Sequence, residues 1–271
     1  MADPYIADSK VADPKIADPK IADPKVEFLL RLADNSLVLS QRLSEICGKG
    51  PALEEDIALT NVALDLLGQA RFWFAYAGEL EGAGRDEDRL AFLRDAHEFR
   101  NLLLVEQPNG SYADTLMRQF YFDAWHYLLL ERLLASSDER IAAIAEKSLK
   151  EVRYHLRRSG DLVVRLGDGS EISHSMMQRA ADDLWMFTDE MFQADAVDQA
   201  MAAQGVMPEL GALRTLWVNY VAEVFREATL VLPPLDAWMQ KGGKQGRHGE
   251  SLGYLLAEMQ FLPRAYPDAV W

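Results

Sequence analysis

The spacing of its breaks limits most strongly how this chain can fold. Proline, glycine and capping residues divide residues 26–193 into long runs, and none of them shows the strict alternation of a half-buried strand. The first predicted helix covers 26–47 and is closed by Gly48 and Gly50. The second is opened by Pro51, with Glu54, Glu55 and Asp56 in its positively polarised first turn, and runs to 81. A third is expected over 86–106, ending at Pro108-Asn109-Gly110, a turn signal. A fourth covers 111–136. The fifth starts at Asp138, a natural N-cap, and ends at Gly167-Asp168-Gly169. A sixth is expected over 173–193, and shorter helices over 195–204, 209–231 and 250–262. Long helices joined by short connections lie antiparallel. The expected fold class is therefore all-α, an antiparallel bundle with additional C-terminal helices.

The chain has 271 residues, 49% of them hydrophobic, enough for one substantial core. Its net charge of −15 argues against nucleic acid and anionic membrane as partners. No apolar run approaches the ~20 residues of a membrane span. The N-terminus lacks an apolar signal segment, and Cys47 is the sole cysteine, which fits a reducing cytoplasm. Residues 1–25 repeat the unit Ile-Ala-Asp-Pro-Lys or variants of it. Proline at every fifth position from Pro14 opposes helix, so an extended, solvated arm is expected, with residues 26–271 forming a single helical domain.

Polar residues stand where apolar ones are expected. Asp123 and His126 lie one turn apart inside the apolar run 120–130, and burying such groups without partners is costly. Asn61, Asp65 and Gln69 form a stripe on the second helix, and Glu151 and His155 share a face of the fifth. Helical bundles that hold two metal ions use two single carboxylates and two Glu-x-x-His pairs on four helices. Only Glu171-Ile-Ser-His174 matches that pair literally, and it falls in the expected loop and N-cap region after Gly169. His126 has Asp three residues before it, and His155 has Val152 there. Three readings stay open. Asp65, Asp123, His126, Glu151 and His155 pair with one another or with Arg71, Lys147, Lys150 and Arg153; they hold a metal centre; or several of them face solvent.

Two further features carry weight. The glycine-rich segment 242–249 holds Lys244, Arg247 and His248, next to Lys241. It reads as a mobile loop or as a site for a phosphate or an acidic surface. Phe72, Trp73, Phe74 and Tyr76 cover all sides of one helix, which places them in a core or an interface. The apolar C-terminal tail, ending at Trp271, is expected to dock.

Several stretches resemble the C-subunit family of the phenylacetyl-CoA epoxidases. They include 34–43, Asp65-Leu66-Leu67-Gly68-Gln69-Ala70-Arg71, Asn101 through Gly110, Asp123-Ala124-Trp125-His126, Arg153-Tyr154-His155-Leu156-Arg157, and Gly242-Gly243-Lys244 through Glu258-Met259-Gln260. The resemblance covers 26–271 and excludes the repeat arm. It implies a ferritin-like, non-catalytic subunit of a multicomponent monooxygenase, with no metal and no cofactor of its own. The implied partner is a di-iron A subunit that inserts oxygen into the ring of phenylacetyl-CoA. Electrons would come from NADPH through the FAD and iron–sulfur centres of a reductase subunit. The alternative is a di-iron or di-manganese enzyme with an altered ligand set. The resemblance also implies substrate contacts at Glu98, Phe99, Arg100, Asn101, Gln199, Ala200 and Met201. Phe99, Asn101 and Ala200 match the family pattern, whereas Glu98, Arg100 and Gln199 depart from it.

Overall fold

The computed structural model describes residues 23–267; the repeat arm up to residue 22 and the tail from 268, including Trp271, lie outside the described residues. The helices are α1 (Pro24–Ser44), α2 (Leu53–Glu81), α3 (Glu87–Phe92), α4 (Tyr112–Leu133) and α5 (Glu139–Gly167). They continue with α6 (Glu171–Trp185), α7 (Ala196–Ala203), α8 (Leu210–Glu227), α9 (Glu250–Met259) and α10 (Phe261–Ala265). No strand occurs among the described residues. The all-α bundle expectation holds.

Two antiparallel pairs form the body, α1 with α2 and α4 with α5. Their ends are set by local chemistry. Asp23 caps α1 by accepting from the Lys25 N–H at 2.8 Å, so Pro24 and Lys25 belong to the helix. Ser111 and Asp114 form a reciprocal cap on α4, and Asp138 accepts from two N–H groups at the start of α5. Ion pairs Glu55–Arg158 and Glu79–Arg140 join opposite ends of α2 and α5, which fixes those helices as antiparallel. α6 and α8 cover α4 and α5, while α7 and α9 lean on α1. α1 is buried almost all round, polar residues included.

The expected third helix is the main correction. Only Glu87–Phe92 is helical; most of residues 93–110 are irregular, with one short 3-10 turn at Ala96–Glu98. Remote side chains take the backbone donors that a helix would have used. Asp34 Oδ2 accepts from the Arg100 N–H at 2.8 Å, Asn35 Oδ1 from Leu102 at 2.8 Å, and Glu190 Oε2 from Leu103 at 3.0 Å. Phe99, Leu102, Leu104 and Val105 still enter the core, so their apolar pattern mimicked a helix. The sixth helix also ends earlier than expected, at Trp185, and a 3-10 turn at Asp189–Met191 brings Glu190 inward. Glu171 and His174 fall in the first turn of α6 rather than in a loop, with Ser170 as the cap and His174 Nδ1 2.7 Å from the Gly167 carbonyl oxygen.

Candidate functional site

Two buried polar regions lie in this fold. The first is between α2, α4 and α5. Gln119, Asp123 and His126 come from α4, Asp65 and Gln69 from α2, and Glu151, His155 and Ser159 from α5, each set spaced to share a helix face. Asp123 is fully buried and accepts from Gln119 Nε2 at 2.6 Å and from Ser159 Oγ at 2.8 Å. Burial pushes its carboxyl up to about 6, outweighing the opposing effects of His155 and the two hydrogen bonds. Gln69 Nε2 donates to Glu151 at 2.9 Å, and His155 Nε2 lies 2.9 Å from Asp65 Oδ2. His126 packs against the Phe122 ring, with centroids 5.0 Å apart. Burial, helped by neighbouring His155, lowers its imidazole to about 3, so it is neutral. The Nδ1 atoms of His126 and His155 and the Oε1 atoms of Gln69 and Gln119 have no hydrogen-bond partner.

This donor set does not fit a two-metal centre. The oxygens that a metal would need are taken up by other side chains: Asp123 by an amide and a hydroxyl, Glu151 by an amide, and Asp65 by an imidazole. Among the described residues, no three His, Cys, Asp or Glu side chains group where they could hold an ion. The Asp65 side chain is 37% exposed, and Asn61 is exposed outright. The expected cationic partners are corrected as well. Arg71 pairs with Glu87, Lys150 with Glu146, and Lys147 lies 4.1 Å from the centre of the Phe72 ring, all outside the interior.

The second region joins residues 93–107 to 242–249 and contains groups that sequence reasoning missed. Arg94 pairs with Asp34, both nearly inaccessible, and stacks over Phe99 at 4.3 Å. Glu106 accepts from Asn101 Nδ2 at 2.9 Å and from the Gly249 N–H at 2.6 Å, and lies 2.7 Å from His248 Nδ1. Burial alone would lower the His248 imidazole; its bond to Glu106 outweighs that and raises it. Glu190 accepts from the Gly242 N–H at 2.8 Å, and Lys244 Nζ donates to Asp198 at 2.6 Å. The glycine loop is therefore locked, and Lys244 is buried rather than offered to solvent. Gly243 is required here, because a Cβ would sit 2.1 Å from the Asn101 carbonyl oxygen. The glycines were the one visible signal of this close approach.

The seven expected substrate residues flank this region. Phe99, Asn101 and Met201 are buried, Ala200 is partly so, and Gln199 is exposed. Glu98 caps the 3-10 turn through the Asp95 N–H at 2.7 Å. Arg100 bonds Glu27 at 2.9 Å. Arg100 and α7 meet at a cavity of about 30 Å³ lined by Arg31, Asn35, Trp125, Asp198 and Lys244. Arg31 Nε and Trp125 Nε1 are without acceptors.

A family model described as phenylacetic acid catabolic protein matches residues 10–271. The chain is 52% identical over 244 residues to the C subunit of 1,2-phenylacetyl-CoA epoxidase from Escherichia coli (strain K12), covering 90% of this chain and 98% of that relative. This sequence is thus a member of the phenylacetic acid catabolic protein family.

Proposed function

We propose that this chain is the non-catalytic C-type subunit of a multicomponent oxygenase that converts phenylacetyl-CoA to its ring 1,2-epoxide. It holds a homologous di-iron A subunit in a stable complex in the cytoplasm. A separate reductase supplies electrons from NADPH through FAD and an iron–sulfur centre. The full-length similarity to the C subunit of an epoxidase carries this reading. The interior supports it, because the positions that seat ions in two-metal bundles here point at amide, hydroxyl and imidazole groups. In the same reading the edge formed by 98–101 and 199–201 contributes to the CoA-substrate site. Of those residues, Gln199 is exposed, and Glu98, Arg100 and Ala200 are half-buried.

Co-expression with the A subunit tests the proposal. The two chains should co-purify, epoxidation should require both, and iron should reside in the A subunit. Turnover by this chain alone would overturn it.

A further inference from the structure

We propose that the outer face of α2, flanked by α5, docks a helix of a second, acidic-faced subunit of the same oxygenase. The inference rests on the assembly role proposed above and locates its surface. The face contains an unusual concentration of apolar groups. Leu53, Ile57, Leu64, Leu67 and Phe72 of α2 are between 38% and 70% exposed. Isolated exposed apolar residues are ordinary, but a contiguous stripe marks an interaction site.

The spacing matches a helix–helix seam. Ile57, Asn61, Leu64, Gly68, Arg71 and Ala75 follow one another at alternating intervals of four and three, and all are exposed or half-buried. Nothing lies within 4 Å of where a Gly68 Cβ would sit. Among the described residues no contact explains a glycine in the middle of a 29-residue helix, where it weakens the helix. A gap there, between Leu64, Leu67 and Phe72, is suited to receive a side chain from a partner helix. On one side a groove of about 480 Å³ continues toward α3 over Leu37, Ala70, Phe74 and Ala91.

Charge selects the occupant. The groove side of this face carries Glu87 and Asp88, whereas the α5 flank presents Lys147, Lys150 and Arg157, all exposed, with Lys150 next to Glu146. Among the described residues, Lys147 and Arg157 have no carboxylate partner within 4 Å. In a two-fold contact a second copy would set the same basic flank against itself. An acidic-faced partner is complementary. At 1.5 Å per residue α2 is about 43 Å long, and two helices are roughly 20 Å wide. That area is on the order of the ~800 Å² per side of a standard stable interface.

Two variants test the inference in the full chain co-expressed with the catalytic subunit. Gly68→Glu and the pair Leu64→Glu/Leu67→Glu should leave the helical content and melting of the isolated chain near wild type. They should weaken the complex at least a hundredfold. Tyr254→Glu/Phe261→Glu, on α9 and α10, should leave it intact. Full retention of the complex by the α2 variants overturns this surface but leaves the proposed function standing. So does self-association of the chain alone that only the α2 variants abolish. Failure of the wild type to bind the catalytic subunit overturns both.

Discussion

The two buried polar regions differ in what their acids face, although each leaves some buried polar atoms unpaired, Asn101 Oδ1 among them. Where residues 93–107 meet 242–249, acids face cations or backbone N–H groups: Asp34 faces Arg94 and the Arg100 N–H, Glu106 faces His248 and Gly249, and Asp198 faces Lys244. Between α2, α4 and α5, acids face an amide, a hydroxyl or an imidazole and no Lys or Arg, and two imidazole nitrogens and two amide oxygens are left over. The first region fixes an irregular backbone that could not stand without those bonds. The second keeps the residue types of an ion-holding bundle without their convergence.

Substitutions can break this contrast. Asp34→Ala should cost most, about 3–5 kcal/mol in denaturant unfolding, because it strands a buried guanidinium and an N–H group. A cost under about 1 kcal/mol would show that the paired region is not what stabilises the loop. His126→Leu should act through pH. The folded imidazole sits near 3 because of burial and His155, so as pH falls below 6.5 the unfolded chain takes up the proton first and wild-type stability drops. The variant should therefore retain on the order of 3 kcal/mol more than wild type at pH ~4, measured relative to their difference at pH ~8.

Asp123→Ala leaves two donors unpaired and should cost about 1–3 kcal/mol near neutral pH. The folded carboxyl, raised by burial, holds its proton between its ordinary value and about 6, so this residue favours folding more as pH falls through that range. The cost of the substitution should thus be greater at pH ~4 than at pH ~7. A cost that instead rises with pH would mean that the charged carboxylate is the stabilising form, as in an ion site, and would erase the contrast. Gly68→Ala lies outside both regions and should raise stability by about 0.5–1 kcal/mol, the helix-propensity difference with nothing to clash.

The long helices were legible because their caps are local: Asp138, and Ser111 with Asp114, act within a few residues of the ends they set. Asp123 and His126 were legible as buried because acid and imidazole sit inside an apolar run. The segment 93–110 was misread because its partners are remote. Asp34 is 66 residues from Arg100, and Glu190 is 87 from Leu103. The same distance problem hid the burial of Lys244, whose partner Asp198 is 46 residues away. Periodicity reports which residues are apolar, but not which backbone donors a distant carboxylate will take.

The most direct test is the metal content of this chain after anaerobic loading with ferrous iron and removal of the excess, with the A subunit treated in parallel. The account expects essentially no iron retained here and a di-iron centre in the A subunit. Two iron ions held per copy of this chain would contradict it.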